Sequence, residues 1–372
     1  MSKILGIDAS RCRSGGAVNH IIGILKNLPE DFKFKEIHIW SYKKLNDQLP
    51  KLPGLIVHNH IFLEKSLFFN LIWQFFLLKK YLKRHSCDIL FTADASTVCN
   101  FKPQVVLSQD LLSYEKGILK KYKISWNKIR IIIIRYIQNI AFRRSIGTIF
   151  LNNYSKNLVE HSCGKLNDTK IIPHGVNRDF FNLIKVVNKN ENSFNLIYIS
   201  NAEIYKNHIS VLKSLKVLLD RGFNVHLSFV GGGDKNILND LDKFIFSNEI
   251  PKKSFKQSDF LSFEQILFHL SKSDIFIFAS SCESFGITLL EGMAAGLPIA
   301  CSNKSSLPEL LLDGGVYFNP DCPHSIADSI EILIANKSVR EEYSKKANSI
   351  SKEYTWERTS KETLNYIFNK TQ

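Results

Sequence analysis

The sequence predicts an α/β protein of two doubly wound domains, each a parallel sheet wrapped in helices. Three observations predict it. Apolar runs of strand length alternate with helical stretches through the first half of the chain, the signature of parallel strands joined by crossover helices. After a polar stretch from Val186 to Ser193 the same alternation restarts. The 372 residues, 44% of them hydrophobic, suffice for two buried cores.

The first strand is read at 4–8, ending at Asp8, and a glycine loop, Arg13-Ser-Gly15-Gly16, leads from it into a helix. Gly15 and Gly16 place no Cβ in the way, so backbone N–H groups there can approach a phosphate. A glycine turn of purely steric purpose has the same appearance. Further strands are read at 37–40, 88–92, 104–108, 147–151 and 170–173. The segment 182–194 is poor in hydrophobic residues and is read as a linker, which sets the domains at 1–182 and 183–353. Strands of the second domain follow at 195–200, 224–230, 274–279 and 298–301. The remaining 354–372, with Trp356, Leu364, Tyr366, Ile367 and Phe368, is expected to form a helix that crosses back to the first domain.

The strand at 274–279 ends in a loop, Ser280 to Ser284, and a helix begins near Gly286. Glu283 therefore sits beyond the carboxyl end of a strand, and Glu291, seven residues between them, on the helix behind it. Open α/β sheets bind ligands at that edge, where helix N-terminal amides also favour anions. Lys206 follows the strand at 195–200 and opens the next helix, so its ammonium can meet a diphosphate as a point charge. A solvated lysine and two surface carboxylates are the plainer reading of the same residues.

The formal net charge is +14, and residues 1–180 hold all of the excess, with 28 Lys and Arg against 13 Asp and Glu. Two stretches of that half mix the positive charge with apolar residues. Residues 65–84 combine Phe68, Phe69, Trp73, Phe75 and Phe76 with Lys79, Lys80, Lys83 and Arg84; residues 116–144 interleave Lys120, Lys128, Arg130, Arg135 and Arg143 with apolar and aromatic side chains. Helices of that composition lie on anionic bilayers, or else pack their apolar face on their own sheet. The longest apolar runs are broken by Asn70, Gln74, Arg130 and Arg135 and fall short of the ~20 residues of a spanning helix. Nucleic acid is not an expected partner, since no helix-turn-helix, zinc-finger or aromatic RNA-binding motif is present. The seven cysteines are scattered without a Cys-x-x-Cys pair, which suits a reducing compartment and neither a disulfide framework nor a zinc site. The N-terminus reads as a buried strand in place of a signal peptide. The one Asp-x-Asp string, Asp240-Leu-Asp242, falls in a helix and reads as its solvated face, so no metal is expected.

In order along the chain, Arg13-Ser-Gly15-Gly16, Ile171-Ile-Pro-His-Gly175-Val-Asn177, Lys206-Asn207, Phe229-Val-Gly-Gly-Gly233 and the Glu283–Glu291 pair resemble the motifs of the retaining nucleotide-sugar glycosyltransferases of family 4, the glycosyl transferases group 1. The resemblance spans nearly the whole chain. It implies the GT-B fold, in which two Rossmann-like domains face each other across a cleft, and closure by hinge rotation near 175–194. It also implies transfer of a sugar, with retention, from a nucleotide-diphosphate sugar, with no cofactor. Lys206 would neutralise the departing diphosphate, Glu283 would contact hydroxyls of the transferred sugar, and Glu291 would bind the ribose. The amides of Phe285, Gly286 and Ile287 would lie near sugar and phosphate, and Gly15 and Gly16 near the donor. Neither carboxylate need transfer a proton, unlike the pair of a glycoside hydrolase.

Two departures from the family pattern stand out. Asn201 occupies the place of an arginine often found about five residues before the lysine. Ser108-Gln109-Asp110 stands where many relatives carry a histidine, so an acceptor-orienting or catalytic role passes to Asp110 or Gln109, or is absent. His20, just behind the glycine loop, is a second acceptor-side candidate, although a lone helical histidine is more often a packing residue. The basic first half points to an anionic membrane surface, hence to a lipid-linked or glycan acceptor of bacterial O-antigen, lipopolysaccharide or capsule assembly. That places the protein in the cytoplasm, peripherally on the inner face of the cytoplasmic membrane. A non-catalytic sugar-nucleotide-binding subunit and a sugar-nucleotide epimerase of the same fold are the alternatives.

Overall fold

Residues 3–13, 15–122, 126–186 and 193–371 are described by the computed structural model of the chain. Seven strands form the first sheet: β1 (Lys3–Asp8), β2 (Phe34–Trp40), β3 (Leu55–His58), β4 (Ile89–Thr92), β5 (Gln104–Ser108), β6 (Gly147–Phe150) and β7 (Thr169–Ile171). Their order is β3-β2-β1-β4-β5-β6-β7, with every neighbouring pair parallel. β4, β5 and β6 are buried throughout, as expected of parallel strands covered by helices on both faces. The first helix, Gly15–Lys26, follows β1.

The aromatic, basic stretch after β3 forms one helical run: Leu67–Trp73, a π-helical turn at Gln74–Leu78, and Lys79–Arg84. Asn70, Trp73, Gln74, Leu78 and Leu82 face inward, while Phe68, Phe75 and Phe76 remain exposed. The π turn delivers Gln74, whose Nε2 donates to Asp8 Oδ2 at 2.7 Å at the carboxyl end of β1.

The last helix, Trp356–Asn369, belongs to the first unit, which comprises Met1–Gly175 and Tyr354–Gln372. Trp356 packs where Gly23 and Gly175 leave no side chain, and a Cβ at Gly175 would lie 2.2 Å from the Trp356 backbone N. Ser360 Oγ donates to Ile24 O at 2.9 Å, and Tyr366 OH donates to Asp168 Oδ1 at 2.6 Å.

The second unit, Val176–Glu353, begins ahead of the boundary read at 182. The turn Arg178–Phe180 packs Phe180 edge-on against Phe263, with ring centroids 5.4 Å apart, and so draws these residues into it. Residues 187–192, at the centre of the segment expected as linker and hinge, lie outside the described residues. The second sheet contains β8 (Phe194–Ile199), β9 (Val225–Val230), β10 (Phe255–Ser258), β11 (Ile275–Phe278), β12 (Ile299–Ser302) and β13 (Gly315–Phe318). Its order is β10-β9-β8-β11-β12-β13, again with every pair parallel.

Both units are Rossmann-like. The strand order reverses between β1 and β4 in the first and between β8 and β11 in the second, and it is outside the carboxyl ends of such strands that open α/β sheets hold their ligands. Among the described residues no helix is long and apolar enough to cross a membrane.

Candidate functional site

The segments that leave β8 and β11 lie side by side at the switch point of the second sheet, and each carries a residue singled out from the sequence. After β8 the chain makes a short 3-10 turn, Ile204–Lys206, and enters the helix His208–Asp220 through Asn207. Asn207 takes a left-handed conformation, φ 53°, which asparagine tolerates better than most residues. Its side-chain Nδ2 donates to Ala279 O at 2.7 Å, to Tyr205 O at 3.1 Å and to Ser281 Oγ at 3.2 Å. Ser281 N donates to Tyr205 O at 2.8 Å, and Tyr198 OH to Lys206 O at 2.7 Å. Lys206 is therefore held between Tyr205 and Asn207, which bond to the loop after β11, and by Tyr198 of β8.

That loop carries Glu283. Its backbone N donates to Ser305 Oγ at 3.0 Å, and its carbonyl accepts from Ser305 Oγ and Ser306 Oγ, each at 2.9 Å. The serines follow β12, so the loop is held from both sides. The Lys206 ammonium and the Glu283 carboxylate form an ion pair, and the ammonium also lies 5.7 Å from the Phe278 ring centroid and 5.4 Å from that of Tyr205.

Glu291 is reached one loop later, on the helix Ile287–Ala294. Gly286 caps that helix at φ 93°, a region open to glycine. Gly292 lets the helix settle onto β11, since a Cβ there would lie 2.9 Å from the Phe276 ring. Loss of solvent pushes the Glu291 carboxyl up to about 8, so it is largely protonated at neutral pH. Phe285 is buried and Ile287 half-buried beside Gly286. Lys206, Glu283, Phe285, Gly286, Ile287 and Glu291 thus all fall on the two segments that leave β8 and β11.

The turn Gly231–Gly233 follows β9 and bonds to the end of the β8 segment, with Ala202 N donating to Gly232 O at 2.7 Å and Asp234 N to Ala202 O at 2.8 Å. Asn201, in the arginine's place, is exposed. Asp240 lies on the helix Lys235–Ser247, where it pairs with Lys243 at 3.5 Å.

The remaining candidates lie in the first domain. Gly15 and Gly16 form the first turn of the first helix, and a Cβ added at Gly15 would meet nothing within 4 Å. After β5, Gln109 Nε2 donates to Ala93 O at 2.7 Å, tying the β5 and β4 loops together, and the exposed Asp110 accepts from Leu112 N at 2.8 Å. His20 is buried, its Nδ1 2.9 Å from His174 Nδ1 and its ring 6.0 Å from that of Trp356. Burial lowers its proton affinity well below the usual histidine range.

The structural role of Asn207 is not legible in the sequence, and neither are Ser305 and Ser306. The signal for the serines is weak: a polar run, Ser302 to Ser306, between a strand and the Leu307–Leu311 helix.

Residues 179–350 match the family model described as glycosyl transferases group 1. An uncharacterized glycosyltransferase of Methanocaldococcus jannaschii is 23% identical over 353 residues, 92% of each chain. The O-antigen chain mannosyltransferase B of Escherichia coli is 33% identical over 90 residues, 24% of each. The crystal structure of Anabaena HepE in complex with UDP and glucose superposes with a TM-score of 0.75 at 18% identity, covering 99% of this chain and all of that one. The fold is GT-B, and the second domain matches the glycosyl transferases group 1 over residues 179–350.

Proposed function

We propose that the protein is a retaining, metal-independent hexosyltransferase that moves a sugar from a nucleotide-diphosphate donor to a lipid-linked or glycan acceptor of cell-surface polysaccharide assembly. The observation that carries this reading is the Lys206–Glu283 pair, fixed at the switch point of the second sheet one loop away from Glu291. Departure of a nucleoside diphosphate leaves negative charge on its phosphates, and a preorganised cation and helix-terminal amides stabilise that charge. Lys206 supplies the cation; the amides of Gly286 and Ile287 supply the dipoles. On donor binding the ammonium exchanges the Glu283 carboxylate for phosphate oxygens, and Glu283 becomes free to accept from sugar hydroxyls. Glu291 accepts from the ribose diol. Gly15 and Gly16 bring first-domain amides to the donor, and Asp110 and Gln109 are the residues proposed to orient the acceptor.

The nucleotide sugar as donor class is supported by the UDP and glucose of the HepE crystal structure, and the polysaccharide setting by the O-antigen mannosyltransferase among the relatives. Membrane docking is supported by the exposed face of the helix Trp126–Arg144, where Trp126, Ile129, Ile132, Ile133 and Tyr136 meet solvent among Arg130, Arg143 and Arg144. Such a surface brings a peripheral protein to anionic lipid and to lipid-linked acceptors. We place it on the inner face of the cytoplasmic membrane.

A second reading, a donor-binding subunit without turnover, is favoured by Asn201 in place of a second cation and by the backbone bonds that already engage Gln109 and Asp110. Incubation with donor and membrane extract in EDTA, followed by NMR of the product's anomeric configuration, separates the two. Transfer with retention supports the enzyme; donor binding with no product from any acceptor supports the subunit.

A further inference from the structure

The first domain brings together three imidazoles that sugar transfer does not use. His38 lies within β2, His58 ends β3, and His85 caps the helix Lys79–Arg84. One nitrogen of each lies within 4.8 Å of the others. His38 Nδ1 stands 2.8 Å from His58 Nε2, and the His85 ring centroid is 4.7 Å from that of His38 and 4.6 Å from that of His58.

Three elements build this arrangement. The parallel register sets Trp40 opposite His58 and His38 opposite Ile56, so His38 and His58 are diagonal neighbours on one face of the sheet. The Trp40 ring stacks on His58 at 4.9 Å and fixes its plane. Behind them, the chain leaves its helix through Ser86 at φ 52°, with Cys87 N donating to Leu82 O at 2.9 Å and Ser86 N to Lys83 O at 3.1 Å. That closed turn brings His85 back over the strands.

The surroundings suit a metal ion. His38 is buried, only 3% exposed, and its Nε2 lies 3.3 Å from Glu36 Oε2. A proton held there by the carboxylate leaves Nδ1 as an acceptor facing the other two rings, the carboxylate–histidine pairing that accompanies histidine ligands. The close Nδ1–Nε2 contact itself requires that one of the two nitrogens carry no proton, so neutral imidazole is already present. His58 and His85 are half-buried, which leaves the site open to an entering ion and a water. Tetrahedral ligands at about 2.0 Å stand roughly 3.3 Å apart. His38 and His58 would separate slightly, and the half-buried His85 would swing in. Arg84 next to His85 opposes a cation; Glu36 behind His38 offsets it.

We propose that His38, His58 and His85 bind one divalent transition-metal ion of the zinc class, with water as fourth ligand and Glu36 orienting His38. Three imidazoles are the donor set that zinc, nickel and copper accept. The ion joins the edge strand β3 and the Lys79–Arg84 helix to β2, and its place is structural. It involves no residue of the second domain.

The test is Zn2+ binding to the EDTA-treated full chain, read by calorimetry, metal analysis after dialysis, and the thermal midpoint. One ion per chain, with a raised midpoint, is expected for the wild type. His58→Ala and His85→Ala should each weaken binding at least tenfold, and Glu36→Gln roughly 10- to 100-fold, while His161→Ala, an exposed histidine on another helix, should bind as the wild type does. Circular dichroism of each variant establishes that the fold is retained. Substitution with Co2+ gives a second readout, a visible absorption band present in the wild type and lost in His58→Ala. No stoichiometric uptake by the wild type, or equal uptake by a folded His58→Ala variant, overturns the proposal and leaves the cluster as stacked aromatic packing.

Discussion

Lys206 and Glu283, 77 residues apart in sequence, form an ion pair whose side chains are only 15% and 14% exposed. Two charges held that far from water attract strongly and also pay heavily for desolvation, so such a pair is weak evidence for stability by itself. In the proposed mechanism it keeps the ammonium oriented and paired until a phosphate takes the carboxylate's place.

Removing the cation should therefore cost binding more than folding. Hydrogen bonds to charged groups are worth about 1.5–3 kcal/mol, so Lys206→Ala is expected to weaken nucleotide-diphosphate binding by roughly 10- to 150-fold. Lys206→Arg should retain part of the affinity. Equal affinity in wild type and Lys206→Ala, measured by titration calorimetry, would remove the lysine from the donor site.

Glu291 predicts two opposite pH dependences. Its carboxyl is pushed up to about 8 in the folded chain from an ordinary 4.5, so between those values the native state holds a proton that the unfolded state has released. Its contribution to stability accordingly falls as pH rises from about 4.5 to about 8. In the proposed role, ribose hydroxyls donate to the ionised form, so nucleotide binding should release a proton and strengthen with pH, by up to about tenfold per unit below pH 8. Glu291→Gln should flatten both slopes. Persistence of both in Glu291→Gln, by unfolding and calorimetry across pH 6 to 9, would assign them elsewhere.

Asn207 combines two contributions that substitution can separate. Asn207→Ala removes the amide bonds to Ala279, Tyr205 and Ser281 and also places alanine at φ 53°, together about 2–4 kcal/mol. Asn207→Gly keeps the backbone comfortable and should cost about 1–2 kcal/mol. Equal losses in denaturant unfolding would mean that only one of the two effects operates.

The exposed helix in the first domain gives a membrane prediction. Trp126 is 74% and Tyr136 69% exposed. The protein should sediment with vesicles rich in phosphatidylglycerol, less with neutral ones, and less again as salt rises. Trp126→Ser combined with Tyr136→Ser should reduce the bound fraction severalfold. Indifference to both lipid charge and these substitutions would leave the face without a lipid role.

Much of this architecture is legible in the sequence, and the misses share a cause. In the middle of the sheets β5 and β11 are buried throughout and β8 over its centre, so all three appear as apolar runs. β3, β10 and β13 escaped; each lies at a sheet edge and keeps part of its length open to solvent, and β10, Phe255-Lys256-Gln257-Ser258, has no apolar run, whereas the edge strand β7 is marked by Ile171-Ile172. In the site, spacing along one strand–loop–helix unit announced Glu283 and Glu291. The ties from Asn207 to Ala279 and from Ser305 to Glu283 span 72 and 22 residues, and local pattern carries no trace of contacts that only the sheet creates. His38, His58 and His85 are hidden for the same reason, since each comes from a different element.

The most direct measurement is calorimetric titration of UDP-, GDP-, ADP- and dTDP-sugars into the wild type, Lys206→Ala and Glu291→Ala, all in EDTA. One nucleotide should bind without metal, and both variants should bind it at least tenfold more weakly. Absence of binding by every donor, or undiminished binding in both variants, would contradict the proposed donor site.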